Sequence, residues 1–318
     1  MSWLWGRSSN GFGGRVTAEE VTDDIDASGL TAVVTGGFKG IGFYTARTLA
    51  RRGAHVIMAG RNLADGVAAR EGILNDIPQA KVDIMELDLA SFDSVRAFAK
   101  EYLNRDLPLN ILINNAGVAM PPFTLSKDGI ELQFATNHLG HFLLTNLLLD
   151  KLKATAQSSG IESRIVNVSS TAHMFSYGGG FRWGKLNEEQ GYKKFMGYGQ
   201  SKLANICHAK ELARRLKEEG ANVTANSLHP GAITTDLQRH IGFIRAISQV
   251  FGCLLKTIPQ GKSQGAATTC YVALHENVKG VSGEYFVNCN IAQPSSNARN
   301  AELAKRLWDV SVEMTSKS

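Results

Sequence analysis

The sequence predicts an α/β fold in which a doubly wound parallel sheet carries helices on both faces. Two observations predict it. Short apolar runs rich in β-branched residues alternate with longer helical patterns, and the first run ends in a glycine-rich turn that leads into a helix. The chain has 318 residues, which is enough for a sizeable core, and residues 28–290 contain no internal repeat and no Pro-, Gly- or Ser-rich linker. One domain therefore suffices.

The first element is a strand followed by a glycine-rich turn. Residues 30–42 (LTAVVTGGFKGIG) begin as an apolar run and end in glycines, and a helical pattern starts at Phe43. Gly36 can adopt a backbone conformation closed to other residues, Gly40 lets a pyrophosphate approach the main chain, and Gly42 lets the helix pack on the strand. Because the helix N-terminus faces the phosphates, the turn indicates a dinucleotide site, although a lone glycine turn is equally compatible with a structural bend.

The second strand bears on the choice of dinucleotide. The apolar run at residues 54–59 ends about twenty residues after the glycine turn, where an acidic side chain would bind the ribose 2′-OH of NAD. The sequence there reads Gly60-Arg61-Asn62, without an acid. Arg61 and Lys39 could converge on a 2′-phosphate through charge-assisted hydrogen bonds. They favour NADP(H) over NAD(H), with two ordinary surface cations as the alternative.

Further along the chain, apolar runs at residues 109–113, 164–168, 222–228 and 284–288 predict strands, and residues 129–153 and 198–219 predict long helices.

The second of these helices begins with Tyr198 and Lys202, which share one helical face because they are four residues apart. The Lys202 ammonium would stabilise the phenolate and lower the pKa of Tyr198 toward the working pH. The pair therefore predicts an acid catalyst, although a solvated helix face would show the same spacing.

Composition and charge exclude several other classes of protein. The formal net charge is +5, and Lys and Arg are interspersed with Asp and Glu, so no nucleic-acid partner is expected. The four cysteines lack C-x-x-C spacing and a disulfide framework, which is typical of a reducing compartment. His138 and His141 are too close for an i, i+4 metal pair, so we expect them to pack in the core or cleft, and we expect no metal.

Two segments leave alternatives open. Residues 1–7 contain two tryptophans and could form an interfacial anchor or an arm packed on the domain. Residues 241–258 carry apolar side chains at helical spacing among basic residues. Such a segment could be a substrate lid, or it could contact a membrane or calmodulin.

Across residues 28–290 the chain resembles the short-chain dehydrogenase/reductase family, because that family's motifs occur here in that family's order. The resemblance implies a single-domain Rossmann fold with an N-terminal arm at 1–27, a substrate lid at about 236–262 and a C-terminal helical extension at 291–318. The positions that match cofactor-binding residues of the family, together with the two cations, are Gly36, Phe38, Lys39, Gly40, Ile41, Gly42, Arg61, Asn62, Asp88, Leu89, Asn115, Ala116, Gly117, Tyr198, Lys202, Pro230, Gly231 and Thr235.

The resemblance also implies a catalytic set formed by Asn137, Ser170, Tyr198 and Lys202. Tyr198 would pass the proton, Ser170 would hydrogen-bond the substrate oxygen, and Lys202 would bind the nicotinamide ribose. Asn137 would hold a water molecule that links Lys202 to solvent. Ser170 and Asn137 could instead satisfy backbone groups, and Asp88 could cap a helix.

The spacing within that set implies an insertion. Ser170 and Tyr198 are 28 positions apart, whereas many family members have about a dozen. We therefore expect an inserted loop near the substrate. This loop contains four aromatic residues: Phe175, Tyr177, Phe181 and Trp183. Phe38, which stands where relatives have a small residue, also indicates a remodelled cleft.

Four segments resemble plant members of the retinol-dehydrogenase-like branch, which includes the short-chain dehydrogenase of the chloroplast inner-envelope translocon. They are residues 109–117, 131–138, 226–232 and 264–271. Three functions follow as hypotheses. The first is an NADP(H)-dependent oxidoreductase for a ketone, aldehyde or alcohol of a bulky apolar metabolite, for example in plant specialised metabolism. The second is an NADPH-sensing regulatory subunit of that translocon, with calmodulin or the envelope membrane as partner. The third is a fold retained only for binding.

The resemblance further implies a location in the cytoplasm or chloroplast of a plant cell, and it is compatible with a homodimer.

Overall fold

The computed structural model describes residues 11–230 and 261–316. Its described part contains one sheet of eight strands in the order β3-β2-β1-β4-β5-β6-β7-β8. All neighbouring strands are parallel except β7 and β8. The strands are β1 Thr31–Thr35, β2 His55–Gly60, β3 Val82–Glu86, β4 Ile111–Asn114, β5 Ser163–Val168, β6 Val223–His229, β7 Tyr285–Val287 and β8 Asn290–Ile291.

Helices cover both faces of the sheet, so the predicted doubly wound α/β fold is confirmed. They are α1 Gly40–Arg51, α2 Leu63–Asp76, α3 Phe92–Asn104, α4 Leu132–Phe134, α5 Gly140–Ser159, α6 Lys194–Glu218, α7 Lys262–Leu274, α8 Ser296–Arg299 and α9 Ala301–Ser316. Successive residues of a strand point to opposite faces of the sheet. Val33, for example, belongs to the core beneath α3, α5 and α6, whereas Val34 belongs to the core beneath α1, α2 and α7.

Element boundaries differ from the sequence prediction at three helices. Helix α1 begins at Gly40 instead of Phe43, and α6 begins at Lys194 instead of Tyr198, so both predicted catalytic side chains of α6 lie within the helix. The helix predicted at 129–153 divides into α4, a π-helical turn at Ala135–Leu139 and α5. Such π-turns often occur at functional sites, and this one contains Asn137.

The chain order of the strands places a crevice along the edge of the sheet that is formed by the carboxyl ends of the strands. The order reverses between β1 and β4, and in open α/β sheets the ligand site lies outside the carboxyl ends of the strands at this switch point. Thr35 and Asn114 end these two strands.

The described ends of the chain pack on the same body. In the N-terminal segment, Phe12 lies edge-on to Tyr271, with 5.7 Å between ring centroids. At the other end, Trp308 of α9 contacts Phe142, with 4.9 Å between ring centroids. Within residues 11–230 and 261–316, the helices are all too short or too polar to span a bilayer.

Candidate active site

The glycine turn between β1 and α1 has the shape that a dinucleotide phosphate requires. Gly36 has a φ of +65°, and a Cβ at Gly42 would overlap the carbonyl oxygen of Gly36. Gly40 has a φ of +58°, and a Cβ placed there would meet no atom within 4 Å. The first turn of α1 carries no acidic residue, so its positive end is not neutralised by its own helix. The main chain of the turn, the open space at Gly40 and the N-terminus of α1 together fit a pyrophosphate.

The turn closes on the strand-end motif after β4. The hydroxyl oxygen of Thr35 accepts hydrogen bonds from the main-chain N–H groups of Asn115, at 2.9 Å, and Ala116, at 3.0 Å. The side-chain amide of Asn115 donates to the carbonyl oxygen of Thr35 at 2.8 Å. The two sequence motifs are about eighty positions apart in the chain, and the structure joins them at the switch point of the sheet.

Phe38 does not remodel the cleft as expected. Its ring is 8 % exposed and lies over the glycines of β2 and α2: a Cβ at Gly60 or Gly66 would come within 2.6 Å or 2.8 Å of ring atoms. The ring is therefore a packing element between the glycine turn and α2.

The two cations predicted to bind a 2′-phosphate precede α1 and α2: Lys39 is the N-cap residue of α1, and Arg61 comes just before Asn62, the N-cap residue of α2. The Lys39 Nζ is 2.7 Å from a carboxylate oxygen of Asp65, and Arg61 is exposed at the end of β2. The side-chain oxygen of Asn62 accepts from the main-chain N–H of Ala64 at 3.0 Å and so caps α2. Sequence analysis did not identify Asp65, which would compete with a phosphate for Lys39.

Asp88 and Leu89 follow β3 at the same sheet edge. One Asp88 carboxylate oxygen accepts from the main-chain N–H of Ala90 at 3.0 Å, and the other is 3.4 Å from the Lys127 Nζ. Leu89 is buried, and its main chain lies where α5 begins, because a Cβ at Gly140 would overlap its carbonyl oxygen. Asp88 thus forms a turn before α3 and does not cap that helix, whose N-cap is Ser91, and it lies on the edge where the cofactor was expected.

Helix α6 places Tyr198 beside the end of β5. The hydroxyl groups of Tyr198 and Ser170 are hydrogen-bonded to each other. The Lys202 Nζ lies 5.7 Å from the centroid of the Tyr198 ring and donates to the carbonyl oxygen of Val168 at 3.0 Å. The structure therefore brings three members of the predicted catalytic set together.

The expected effect of Lys202 on Tyr198 is not found. Burial raises the pKa of Tyr198 to about 12, and the hydrogen bond from Ser170 acts in the opposite direction. Burial also lowers the pKa of Lys202 to about 8. Desolvation is the largest influence on both groups, and the ammonium donates to a carbonyl oxygen of β5.

Asn137, the fourth member, is tied to the main chain. Its side-chain oxygen accepts from the N–H of Val118 at 2.8 Å, and its amide nitrogen donates to the Val118 carbonyl oxygen and the Ser201 hydroxyl, both at 2.9 Å. A Cβ at Gly117 would lie 3.1 Å from the Asn137 side-chain oxygen and 3.5 Å from the Lys202 Nζ. The side chain therefore braces the strand-end motif, so the predicted water would have to bind the main-chain carbonyl oxygen, which also accepts from the His141 Nδ1 at 3.1 Å.

The aromatic residues of the inserted loop lie in different places. Phe175 contacts Phe195, one helical turn before Tyr198, with 5.6 Å between ring centroids. Phe181 and Trp183 contact each other with 4.9 Å between centroids and join the core beneath α6 and α9. The Tyr177 hydroxyl accepts from the main-chain N–H of Lys193 at 2.9 Å. Phe175 and Tyr177 thus lie at the N-terminal end of α6, whereas Phe181 and Trp183 pack in the core. That the loop lies near the substrate stays a prediction.

Sequence analysis gave His173 no role, yet it holds Ser170. Its Nδ1 donates to the Ser170 carbonyl oxygen at 2.7 Å, and its Nε2 accepts from the main-chain N–H of Ser295 at 3.0 Å. The three-residue spacing from Ser170 was the available signal, because the turn Thr171–Phe175 brings the two together.

Several predicted features lie outside the described residues: the arm up to residue 10, Gly231, Thr235, the amphipathic segment at 241–258 and the lid up to residue 260. Pro230, directly after β6, is described and buried. Among residues 11–230 and 261–316, no three His, Cys, Asp or Glu side chains are grouped as metal ligands. His138 and His141 are both buried in the core.

Comparisons with known proteins agree with this geometry. Residues 30–182 match the short chain dehydrogenase family. The chain is 54 % identical over 306 residues to the short-chain dehydrogenase TIC 32 B, chloroplastic, of Brassica napus, covering 96 % of this chain and 94 % of that protein. It is 44 % identical over 293 residues to retinol dehydrogenase 11 of Homo sapiens, covering 92 % of this chain and 88 % of that protein.

A crystal structure of an uncharacterized protein from Mycobacterium paratuberculosis superposes with a TM-score of 0.73 at 33 % identity, covering 93 % of this chain and 97 % of that one. The resemblance to plant members of the retinol-dehydrogenase-like branch is confirmed by these relatives. The chain belongs to the short-chain dehydrogenase/reductase family of NAD(P)-dependent oxidoreductases.

Proposed function

We propose that this protein is an NADP(H)-dependent oxidoreductase that interconverts a carbonyl group and an alcohol on a bulky apolar metabolite. The observation that carries the proposal is the cluster of Tyr198, Ser170 and Lys202 at the sheet edge that also holds the glycine turn. A protein that only binds a dinucleotide has no need of a hydrogen-bonded acid at that edge.

In this proposal Tyr198 is the general acid of carbonyl reduction. Its pKa of about 12 keeps the phenol protonated at neutral pH, so a proton is available for the substrate oxygen. The Ser170 hydroxyl, already bonded to Tyr198, stabilises the charge that develops on that oxygen. The bound dinucleotide supplies or accepts the hydride.

Lys202 and the Asn137 carbonyl would serve the same site. With a pKa of about 8, the Lys202 amine is mostly charged at neutral pH and can hold the ribose hydroxyls. Its Nζ is close to Gly117, which adjoins Asn137. A proton lost from Tyr198 can therefore be replaced along a short polar route past Lys202 and the Asn137 carbonyl.

The preference for NADP(H) rests on Lys39 and Arg61. Both lie beside the end of β2, where a ribose 2′-substituent is expected, and Arg61 stands in place of an acid. Asp65 offsets part of the Lys39 charge. The local balance of these three side chains is still +1, which favours an anionic group.

The substrate class is inferred from the side chains around the Tyr198 end of α6. Phe195 and Phe175 are both partly exposed and pack on each other, so they offer an aromatic surface next to the proton donor. The turn that carries Phe175 is seated tightly on α6, because a Cβ at Gly199 would come within 2.8 Å of the Ala172 carbonyl oxygen. A rigid aromatic wall suits a bulky apolar group better than a small polar one.

A chloroplast location is part of the proposal, because the two TIC 32 relatives from Brassica napus carry that location in their names. The regulatory alternative with calmodulin depends on residues 241–258, which lie outside the described part of the chain.

The test is a screen of NADPH oxidation against aldehydes and ketones of graded size, with Tyr198→Phe as the blank. We expect turnover to rise with the size of the apolar group and to vanish in the blank. Phe195→Ala should raise KM for large substrates more than for small ones. If the parent oxidises NADPH with no carbonyl compound, or as fast in the blank, the proposal is wrong.

A further inference from the structure

His141 links the predicted catalytic set to the cofactor turn. It lies on the first turn of α5, one helical turn after Asn137, and is 2 % exposed. Its Nδ1 is 3.1 Å from the Asn137 main-chain carbonyl oxygen, and its Nε2 is 2.8 Å from the Thr35 hydroxyl oxygen. One imidazole ring therefore contacts both Asn137 of the predicted catalytic set and Thr35 of the cofactor turn. Thr35 and His141 are 106 positions apart in the chain.

The partners determine the direction of every hydrogen bond. A carbonyl oxygen only accepts, so Nδ1 of His141 carries the proton, and Nε2 of a neutral ring must accept. The Thr35 hydroxyl therefore donates to Nε2, and its oxygen accepts from the main-chain N–H groups of Asn115 and Ala116. The Thr35 hydroxyl also lies 3.3 Å from the Ile113 carbonyl oxygen, but its single proton serves the shorter, 2.8 Å contact with Nε2. The resulting chain runs from the strand-end motif through Thr35 and His141 to Asn137.

The neutral form of the ring is strongly favoured. Burial lowers the pKa of His141 to about 3, and the nearby Lys202 charge acts in the same direction. A protonated ring would turn Nε2 into a second donor and reverse the bond to Thr35. The link therefore keeps this polarity at neutral pH.

We propose that His141 is a positioning residue that fixes the Asn137 carbonyl and the Thr35 hydroxyl relative to each other, so that acid catalyst and cofactor turn are aligned through one ring. The inference rests on the proposed function, because it assigns Asn137 and Thr35 to the two halves of one active site. The Nδ1 atom positions the Asn137 carbonyl and so affects turnover, whereas the Nε2 atom positions the Thr35 hydroxyl and so affects cofactor binding.

His138 provides the matched comparison. It is fully buried, lies in the adjoining π-turn and has one hydrogen-bonding partner, with its Nε2 2.8 Å from the Ser311 hydroxyl oxygen of α9. That contact leads away from the cofactor edge. A change at His138 therefore reports the cost of altering a buried imidazole in this region without the link.

Two substitutions separate the halves of the link. In His141→Asn the amide nitrogen stands near the former Nδ1, so the donor to Asn137 is kept and the acceptor for Thr35 is lost. In His141→Gln the amide oxygen stands near the former Nε2, so the acceptor is kept and the donor is lost.

We expect His141→Asn to raise the Kd for NADPH by about three- to tenfold with kcat within about twofold of the parent. We expect His141→Gln to lower kcat by about three- to tenfold with Kd within about twofold.

Kd is measured by NADPH fluorescence on the full-length protein, and kcat with the best carbonyl substrate of the screen. His138→Asn and His138→Gln should lower the melting temperature but leave Kd and kcat within about twofold of the parent, as buried changes outside the link do. If both His141 variants changed both quantities equally, or changed neither beyond the His138 controls, the link would be only structural and the inference wrong.

The binding arm does not depend on turnover. A parent that binds NADPH but reduces no carbonyl would defeat the proposed function, while the Kd contrast between His141→Asn and His141→Gln would still decide whether the ring serves the cofactor turn.

Discussion

Asp65→Asn should strengthen NADPH binding. The change replaces one carboxylate oxygen by an amide nitrogen and keeps the shape of the side chain. In the parent, the Lys39 Nζ is 2.7 Å from that carboxylate, with 62 % and 35 % of the two side chains exposed. A 2′-phosphate must draw Lys39 away from Asp65 and must also tolerate the remaining negative charge.

The magnitude follows from these two terms. Separating a solvent-exposed ion pair costs about 0.2–1 kcal/mol. Repulsion between Asp65 and a phosphate charge at about 6 Å in water adds about 0.7 kcal/mol at low salt. Removing both terms, about 0.9–1.7 kcal/mol together, should lower the Kd for NADPH by about five- to twentyfold at low salt, with a smaller gain at high salt.

The assay is NADPH and NADH binding by fluorescence at two ionic strengths. NADH lacks the 2′-phosphate, so its Kd should stay within about twofold in the variant. Asp76→Asn is the matched control, because Asp76 ends the same helix and pairs with Arg47 and Arg51 instead. A weaker affinity for NADPH in Asp65→Asn, or an equal gain for NADH, would refute the assignment of Lys39 to the phosphate.

Three further outcomes are expected. Arg61→Asp should shift the ratio of kcat/KM values toward NADH by about tenfold or more, and an unchanged ratio would make Arg61 an ordinary surface cation. The kcat/KM for carbonyl reduction should fall as pH rises through about 8, because Lys202 loses its charge, and the residual activity of Lys202→Arg should show no such fall. Burial lowers the pKa of His208 to about 3, so its contribution to stability is complete above the unfolded pKa of about 6.5 and declines as pH falls. Denaturant unfolding at pH 7 and pH 5 should show a loss of stability that is about 2 kcal/mol larger in the parent than in His208→Gln, because the other buried histidines, such as His141, contribute to the loss in both proteins. An equal loss in both proteins would show that His208 contributes nothing.

Local features of the site could be predicted from the sequence. The strand, glycine turn and helix follow from residue types and short spacings, and the identity of Tyr198 and Lys202 follows from one helical turn. Gly36 and Gly40 have the positive φ angles that the turn requires. Such features depend on neighbours within a few positions, which the sequence displays directly.

Other features depend on distant partners that residue types do not reveal. The ring of Phe38 packs on glycines of β2 and α2, and Lys39 pairs with Asp65 of α2, although both residues belong to the glycine turn. The pKa of Tyr198 is set mainly by burial, which reverses the shift expected from the Lys202 charge. These outcomes are fixed by tertiary packing.

The central claim is that Tyr198 supplies the proton, and Tyr198→Phe tests it most directly. The variant keeps the ring and removes only the hydroxyl that bonds to Ser170. NADPH binding by fluorescence and carbonyl reduction should be measured on the same preparation. We predict a Kd within about twofold of the parent and a kcat lower by about a hundredfold or more. A kcat within about threefold of the parent, at unchanged Kd, would contradict the account.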